Sequence, residues 1–288
     1  KALVFACKNC LWILYGDPIT GRIERVSGEI GIISPNAWAA NSDGLIAFLS
    51  NDGVYVWQAG SGSLPSRFSD GCLPVDLRNV NTSDNDIMMS YDPVGRGFHL
   101  FITPVSGLTA THWWLDVQNK SIWPVWMNTI HQPTAMSRVE NGGLAEIVLG
   151  CSDGYLRKFN PESTTDDGLP LKSHVLIGPV QLSANDVQDS LLGEIHGIMA
   201  DFQGEVSFRI FSGSSAESVV DKSVTAINSM ILSGACLGYS FIGEWSGGRN
   251  CVYRPRTRGA WVIVMISSEV SWAYEAIALV AQQLGRLR

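Results

Sequence analysis

The chain has 288 residues, enough for one large β domain or two smaller ones, with 45% hydrophobic and 16% charged residues. Its 29 glycines and 12 prolines are spread along the chain, which suits many tight turns and excludes collagen-like or disordered composition. A formal charge of −7 argues against tight nonspecific binding to nucleic acid, which needs many lysines and arginines to displace counterions.

From the N-terminal end, apolar runs alternate with turn residues. Leu3–Cys7 and Cys10–Tyr15 flank the two-residue turn Lys8-Asn9, and Tyr15 to Val26 turns back at Asp17-Pro18-Ile19-Thr20-Gly21. Leu45–Leu49 and Val54–Trp57 flank Ser50-Asn51-Asp52-Gly53. Ile87–Tyr91 and Phe98–Ile102 flank a turn through Asp92-Pro93 and Gly95. Trp113–Val117 and Ile122–Trp126 form a further hairpin, as do Ala145–Leu149 and Tyr155–Phe159 around Asp153-Gly154. Asp-Gly between apolar runs is a strong hairpin signal, because glycine takes the positive φ that such turns require.

The hairpins recur regularly. Asn9 to Asp52 is 43 residues, Asp52 to Gly95 is 43, and Gly95 to Asp153 is 58. A period of about 40–45 residues with four strands each is the pattern of a propeller blade. The longer interval is filled by the Thr103–Thr111 loop and residues 128–143. Pro161–Leu171 reads as a polar loop. From about Leu191 the runs lengthen: Gly193–Phe202, Glu205–Phe211, Cys236–Trp245, Asn250–Arg254 and Arg258–Ser267. The predicted fold is therefore all-β, with β-propeller-like blades over residues 1–182 and a β-sandwich-like domain over 183–288. Ala216–Leu232 is open between loop and short helix, and Trp272–Leu284 reads as strand.

Charge is unevenly distributed. Arg249, Arg254, Arg256, Arg258, Arg286 and Arg288 face only Glu244, Glu269 and Glu275 within residues 240–288, a net +3 that leaves −10 on the remainder. An acidic body suits a surface past which a polyanion slides without adhering. Arg254, Arg256 and Arg258 alternate, which predicts one strand with all three side chains on one face and marks them as interface candidates. No run approaches the roughly 20 apolar residues of a membrane helix, and no secretory signal is visible. Because the chain starts at Lys1 and Ala2–Ala6 already reads as strand, a natural N-terminal portion is expected upstream.

Candidate chemistry is sparse. The six cysteines (Cys7, Cys10, Cys72, Cys151, Cys236, Cys251) are too few for a disulfide scaffold and are expected mostly reduced and buried, as in a protein assembled in cytoplasm. Cys7-Lys8-Asn9-Cys10 is open between structural thiols, a disulfide across the turn and a metal half-site. No second ligand pair accompanies it, so no stoichiometric zinc is expected. Asp84-Asn85-Asp86 and Asp166-Asp167 lack the regular spacing of a calcium loop and read as turn caps. Trp113, Trp114, Trp123 and Trp126 could form a carbohydrate platform, but Trp113 and Trp114 face oppositely, which favours packing between blades. No nucleophile elbow, P-loop or dinucleotide pattern is present. No catalytic residue, metal ligand or cofactor is expected.

Three segments together resemble a known family. They are Gly44–Trp57 continuing through Arg67-Phe68-Ser69 to Leu77, Trp114–Trp123, and Tyr253–Ile266 followed by Trp272 and by Gly285-Arg286-Leu287-Arg288. In this order they resemble the propeller-bearing tail-nozzle proteins of short-tailed bacteriophages. The resemblance implies a structural virion protein of the tail or neck, assembled in the host cytoplasm. It implies a homohexameric ring below the portal or adaptor, lining the channel through which DNA is ejected, with no membrane contact and no enzyme activity. Ser50–Trp57 is also similar to the Asp-box turn of sialidase-type propellers. A glycan-binding or sialidase-like propeller is the alternative, and a peptide-docking scaffold propeller is the third.

Overall fold

The computed structural model describes residues 2–68, 75–107, 109–141, 144–160, 163, 165–183, 188–199, 206–233, 250–270 and 272–287. Period-2 patterning and glycine turns yield short antiparallel strands throughout, with one long helix among the described residues, so the protein is all-β. The chain divides into two units, Lys1–Ser163 and Thr164–Arg288.

The first unit is a series of meander sheets built from strands consecutive in the chain. Sheet 1 holds β1 (Ala2–Ala6), β2 (Leu11–Tyr15) and β3 (Arg22–Ser27). Sheet 2 holds β4 (Trp38–Ala40), β5 (Leu45–Ser50), β6 (Gly53–Gln58) and β7 (Ser66–Arg67). Sheet 3 holds β8 (Asn85–Asp92), β9 (Gly97–Pro104), β10 (Thr111–Asp116) and β11 (Ser121–Val125), and sheet 4 holds β12 (Pro133–Asn141), β13 (Leu144–Cys151) and β14 (Leu156–Lys158).

Alternation assigns each sheet's two faces to two neighbours. In sheet 2, Phe48, Tyr55 and Trp57 pack with Leu11 and Ile13 of sheet 1. Ala47, Leu49 and Val54, of opposite parity, pack with Ile87, Phe98, Leu100 and Leu115 of sheet 3. Sheet 3 in turn sends Met88 and Phe101 from its other face against Ile147 and Leu149 of sheet 4. The four sheets thus pack face to face in chain order, each buried side chain contributing about 1.5–3 kcal/mol of transfer free energy.

The turns take the conformations that their residues predict. Gly53 has φ 137° and Gly154 has φ 85°. Gly53→Val should destabilise the first unit by about 1–3 kcal/mol, because a β-branched residue is strained there. Urea denaturation of wild type and variant measures this, and coincident curves would remove the backbone argument.

The second unit begins with a small hairpin, β15 (Thr165–Asp166) and β16 (Leu169–Pro170). Asp167 at φ 49° and Gly168 at φ 83° form its turn. The remaining elements are β17 (Ser173–Gln181), β18 (Gln188–Met199), β19 (Ser207–Gly213), α1 (Ala216–Ser233), β20 (Asn250–Tyr253), β21 (Thr257–Gly259), β22 (Trp261–Ser268) and β23 (Tyr274–Leu287). One sheet has the order β17-β22-β19. In the other, β18 pairs with β23 and with both β20 and β21. Leu192, Ile195 and Met199 of the second sheet pack on Phe208, Val262, Val264 and Ile266 of the first, making a sandwich. On the outer face of the first sheet, Val219 and Ala226 of α1 cover Phe211, Ile263 and Met265.

Several expectations are corrected here. The boundary falls at Ser163/Thr164 rather than 182/183, because β17 pairs along its length with β22 (Val175↔Ile266, Gln181↔Trp261). The segment Ala216–Leu232, open between loop and short helix, lies in the 18-residue helix Ala216–Ser233. β12 was not expected, and Arg258–Ser267 is two strands broken at Ala260. Of the expected strand Trp272–Leu284, the part from Tyr274 onward is strand, within β23. The expected strand Cys236–Trp245 lies outside the described residues. Among the described residues no helix is long and apolar enough to cross a membrane.

Candidate functional surfaces

The carboxylates of the hairpin turns are the first place to look for chemistry, and each has a structural partner. At the β5–β6 turn, Asp52 accepts a hydrogen bond from Tyr55 Oη at 2.6 Å and another from Arg67 of β7, whose guanidinium lies 5.8 Å from the centroid of the Tyr55 ring. Partial burial raises the Asp52 pKa, but the hydrogen bonds from Tyr55 and Arg67 outweigh it and hold the carboxyl below its ordinary value. The β13–β14 turn repeats the arrangement. Arg157 donates to Asp153 Oδ1 and Oδ2 at 2.9 and 2.7 Å and lies 5.6 Å from the Tyr155 ring centroid. The Asp153 backbone turn is closed by Tyr155 N–H donating to Oδ1 at 3.1 Å. These are turn clamps, not acid–base pairs.

The bidentate Arg157 hydrogen bonds lower the Asp153 pKa to about 2. A depressed carboxylate pKa contributes stability above the unfolded value near 4 and loses it as pH falls toward 2. Asp153→Asn should therefore reduce stability at pH 7 and shrink the loss between pH 4 and pH 2. Urea midpoints across that range test it. An unchanged acid limb would assign the acid sensitivity to other carboxylates.

Sheet 3 carries a buried imidazole pair on the face toward sheet 4. His99 Nδ1 and His112 Nε2 are 2.8 Å apart, and Asp92 Oδ2 lies 3.8 Å from His99 Nε2. Phe101 stacks on His112 at 4.1 Å and Phe159 on His99 at 4.4 Å. Burial, reinforced by His99, pushes the His112 pKa well below its ordinary value, so the ring is neutral at physiological pH. The order Asp–His–His resembles an acid–base relay. Among the described residues, however, no hydroxyl or thiol is hydrogen-bonded to either ring, and His112 is 4% exposed. The pair satisfies two buried polar rings within an aromatic interface.

The tryptophans divide between packing and surface. Trp113 enters the core shared by sheets 2 and 3. Trp114, on the opposite face, covers Gly95 and Gly97, where an added Cβ would come within 2.7 and 2.3 Å of its ring. Trp123 is 55% exposed, and Trp126 is half-buried. A hollow of about 310 Å³ elsewhere on the unit is lined by Asp76, Arg78, Asn79, Asn81, Asn85 and Thr111, among others. Among the cysteines whose side chains are described, Cys151 is buried as expected, whereas Cys7 is exposed and Cys10 half-buried.

Arg254, Arg256 and Arg258 do not alternate along one strand, as the sequence had suggested. β20 pairs with β18 up to Tyr253↔Ile195, and β21 resumes at Thr257↔Leu192. Arg254-Pro255-Arg256 therefore stand opposite Gly193 and Glu194 as a bulge. Pro255 has no N–H to give the ladder, and Arg256 has φ 50°. The three arginine side chains are nonetheless all exposed. Arg254 Nε donates to Glu194 Oε1 at 2.8 Å, and His196 Nε2 lies 3.0 Å from Glu194 Oε2. The Arg254 hydrogen bond leads the causes that hold Glu194 below its ordinary pKa. Arg256 and Arg258 have no carboxylate partner among the described residues.

Comparison with known proteins adds little. No family model matches the chain, and no curated protein matches it. Among solved structures the chain is similar to an auxiliary nutrient binding protein from Bacteroides ovatus, at 12% identity and a TM-score of 0.33. The similarity covers 55% of this chain and 44% of that one, less than half of its length. A likeness this slight carries no functional argument.

Proposed function

We propose that this protein is a structural component of a short-tailed bacteriophage virion, a tail or neck subunit that forms a homohexameric ring around the DNA channel below the portal or adaptor. The observation that carries the reading is the bulged β20–β21 edge beside β18. It presents Arg256 and Arg258 without counter-charge among the described residues, in a chain whose remaining residues outside 240–288 are strongly acidic. A ring with head-to-tail contacts needs two different and complementary surfaces on each subunit. The resemblance of Gly44–Trp57 and Tyr253–Ile266 to tail-nozzle proteins supplies the virion context. Assembly takes place in the host cytoplasm, and the acidic body lets DNA pass without adhering.

Mass photometry of the purified chain at low salt tests this. The expected result is one dominant species of six copies that dissociates as salt rises. A monomer at every concentration and salt would refute the ring.

The glycan-binding reading has one observation in its favour, the polar hollow around Asp76, Arg78 and Asn81, whose donors and acceptors suit hydroxyls. A glycan array separates the two readings. Saturable binding by a monomer, abolished by Asn81→Ala, would favour the glycan.

A further inference from the structure

β1 and β2 pair from Ala2↔Tyr15 to Ala6↔Leu11, so the next residues, Cys7 and Cys10, close the hairpin across Lys8-Asn9. The Cys7 N–H donates to the Cys10 carbonyl at 2.9 Å. Residues opposed in this way have Cα atoms about 5.5 Å apart, a distance that a disulfide spans without backbone movement. Neither thiol is in a disulfide.

The turn is also held from outside. The Cys7 carbonyl accepts the Ile32 N–H at 2.9 Å, and Asn9 Oδ1 accepts from Asn51 Nδ2 in the β5–β6 turn at 3.0 Å. Gly31 lies so close that an added Cβ would meet the Cys7 carbonyl oxygen at 2.1 Å and the Lys8 carbonyl carbon at 2.5 Å. These contacts fix the two cysteines in register, so the entropy of bringing their sulfurs together is already lost in the fold. Cys7 is exposed and Cys10 half-buried, whereas Cys151 lies buried between sheets 3 and 4. Among the described residues no third cysteine, histidine or carboxylate joins the pair at ligand distance.

We propose that Cys7 and Cys10 form a reversible redox site, a hairpin dithiol that low-molecular-weight disulfides convert to an intramolecular disulfide. The exposed Cys7 thiolate attacks the external disulfide, forming a mixed disulfide and releasing one thiolate. Cys10 then attacks the Cys7 sulfur, forming the Cys7–Cys10 bond and releasing the second. The two cysteine protons end on the two released thiols, so the protein is oxidised by two electrons and the external disulfide reduced by two. Hydrogen bonding to Cys10 pushes the Cys7 thiol above its ordinary value, so closure accelerates as pH rises into the alkaline range. The site does not depend on the ring reading. Its closure would clamp the tip at which sheet 1 meets the turn of sheet 2.

The full chain is treated with glutathione disulfide at pH 7 and pH 9 and read by intact mass and peptide mapping. The expected product has lost two hydrogens and carries a Cys7–Cys10 link, formed faster at pH 9 and reversed by dithiothreitol. Cys10→Ser should instead trap one stable glutathione adduct on Cys7. A persistent adduct on the wild type would overturn the proposal, because Cys10 would then fail to reach the Cys7 sulfur. Absence of reaction in both proteins would overturn the accessibility of Cys7. One zinc per chain that blocks the reaction would reassign the pair as metal ligands.

Discussion

Phe101→Ala should destabilise the first unit by about 3–5 kcal/mol, the range for emptying a phenylalanine site in a packed core. Phe101 is 0% exposed. It stands between sheets 3 and 4 with Met88, Ile147 and Leu149, and its ring lies on His112. The truncation removes dispersion contacts on both sides and exposes the imidazole pair to water. Chemical denaturation measures the loss, with Ile19→Ala as the control. Ile19 is 92% exposed in the β2–β3 turn, and its truncation should stay within about 0.5 kcal/mol. A second readout is independent of stability. Burial is the leading cause of the low His112 pKa, so hydration of the cavity should move it upward. In an NMR titration, the His112 midpoint should lie higher in the variant than in wild type. Equal costs for Phe101→Ala and Ile19→Ala would mean that sheets 3 and 4 are not packed on one another.

The strands that could be read from sequence are those whose apolar residues alternate beside a glycine turn. Leu45–Trp57 is the clearest, since Phe48 and Leu49 go to opposite faces and both find a neighbouring sheet. β12 was hidden because Ser137, Arg138, Val139 and Glu140 are exposed and show no apolar run. α1 was ambiguous because Val219, Val220, Val224 and Thr225 are β-branched and weaken local helix preference. Tertiary packing decides the matter, with Val219 and Ala226 on the sheet. A start signal stands just before the helix: Ser215 Oγ accepts the Ser218 N–H at 3.2 Å as an N-cap.

The side-chain clusters were less legible than the strands, for a geometric reason. Asp52 and Arg67 are 15 residues apart, and only the pairing of β6 with β7 (Tyr55↔Arg67) brings them together. His99 and His112 read as scattered histidines, yet the β9–β10 register places His99 opposite Trp114 and Phe101 opposite His112. That makes the two imidazoles diagonal neighbours on one face. In the second unit, the alternation Arg-Pro-Arg-Thr-Arg concealed a bulge, and Pro255 was the signal against a continuous strand.

Replacing Arg254, Arg256 and Arg258 together with serine should raise the concentration needed for ring formation about tenfold to a hundredfold, equivalent to about 1.4–2.8 kcal/mol. The estimate treats the arginines as exposed charges, each contributing up to about 1 kcal/mol across a subunit contact. Their contributions are not equal. Arg254 is already paired with Glu194, so freeing it for a partner subunit costs an existing contact. Arg256 and Arg258, which lack such a contact among the described residues, should account for most of the effect. Arg256→Ser with Arg258→Ser should accordingly approach the triple variant, whereas Arg254→Ser alone should weaken assembly little and leave Glu194 without its first hydrogen-bond donor. High salt should weaken wild-type rings in the same direction, and the double variant should be less salt-sensitive because fewer charge pairs remain to be screened. The competing reading is an edge kept from aggregating by its charge and its proline. It expects the opposite signature, with normal rings at all salt concentrations and a new tendency of the variants to aggregate through the β20–β21 edge. Mass photometry over a salt series, with light scattering for aggregates, separates the two outcomes.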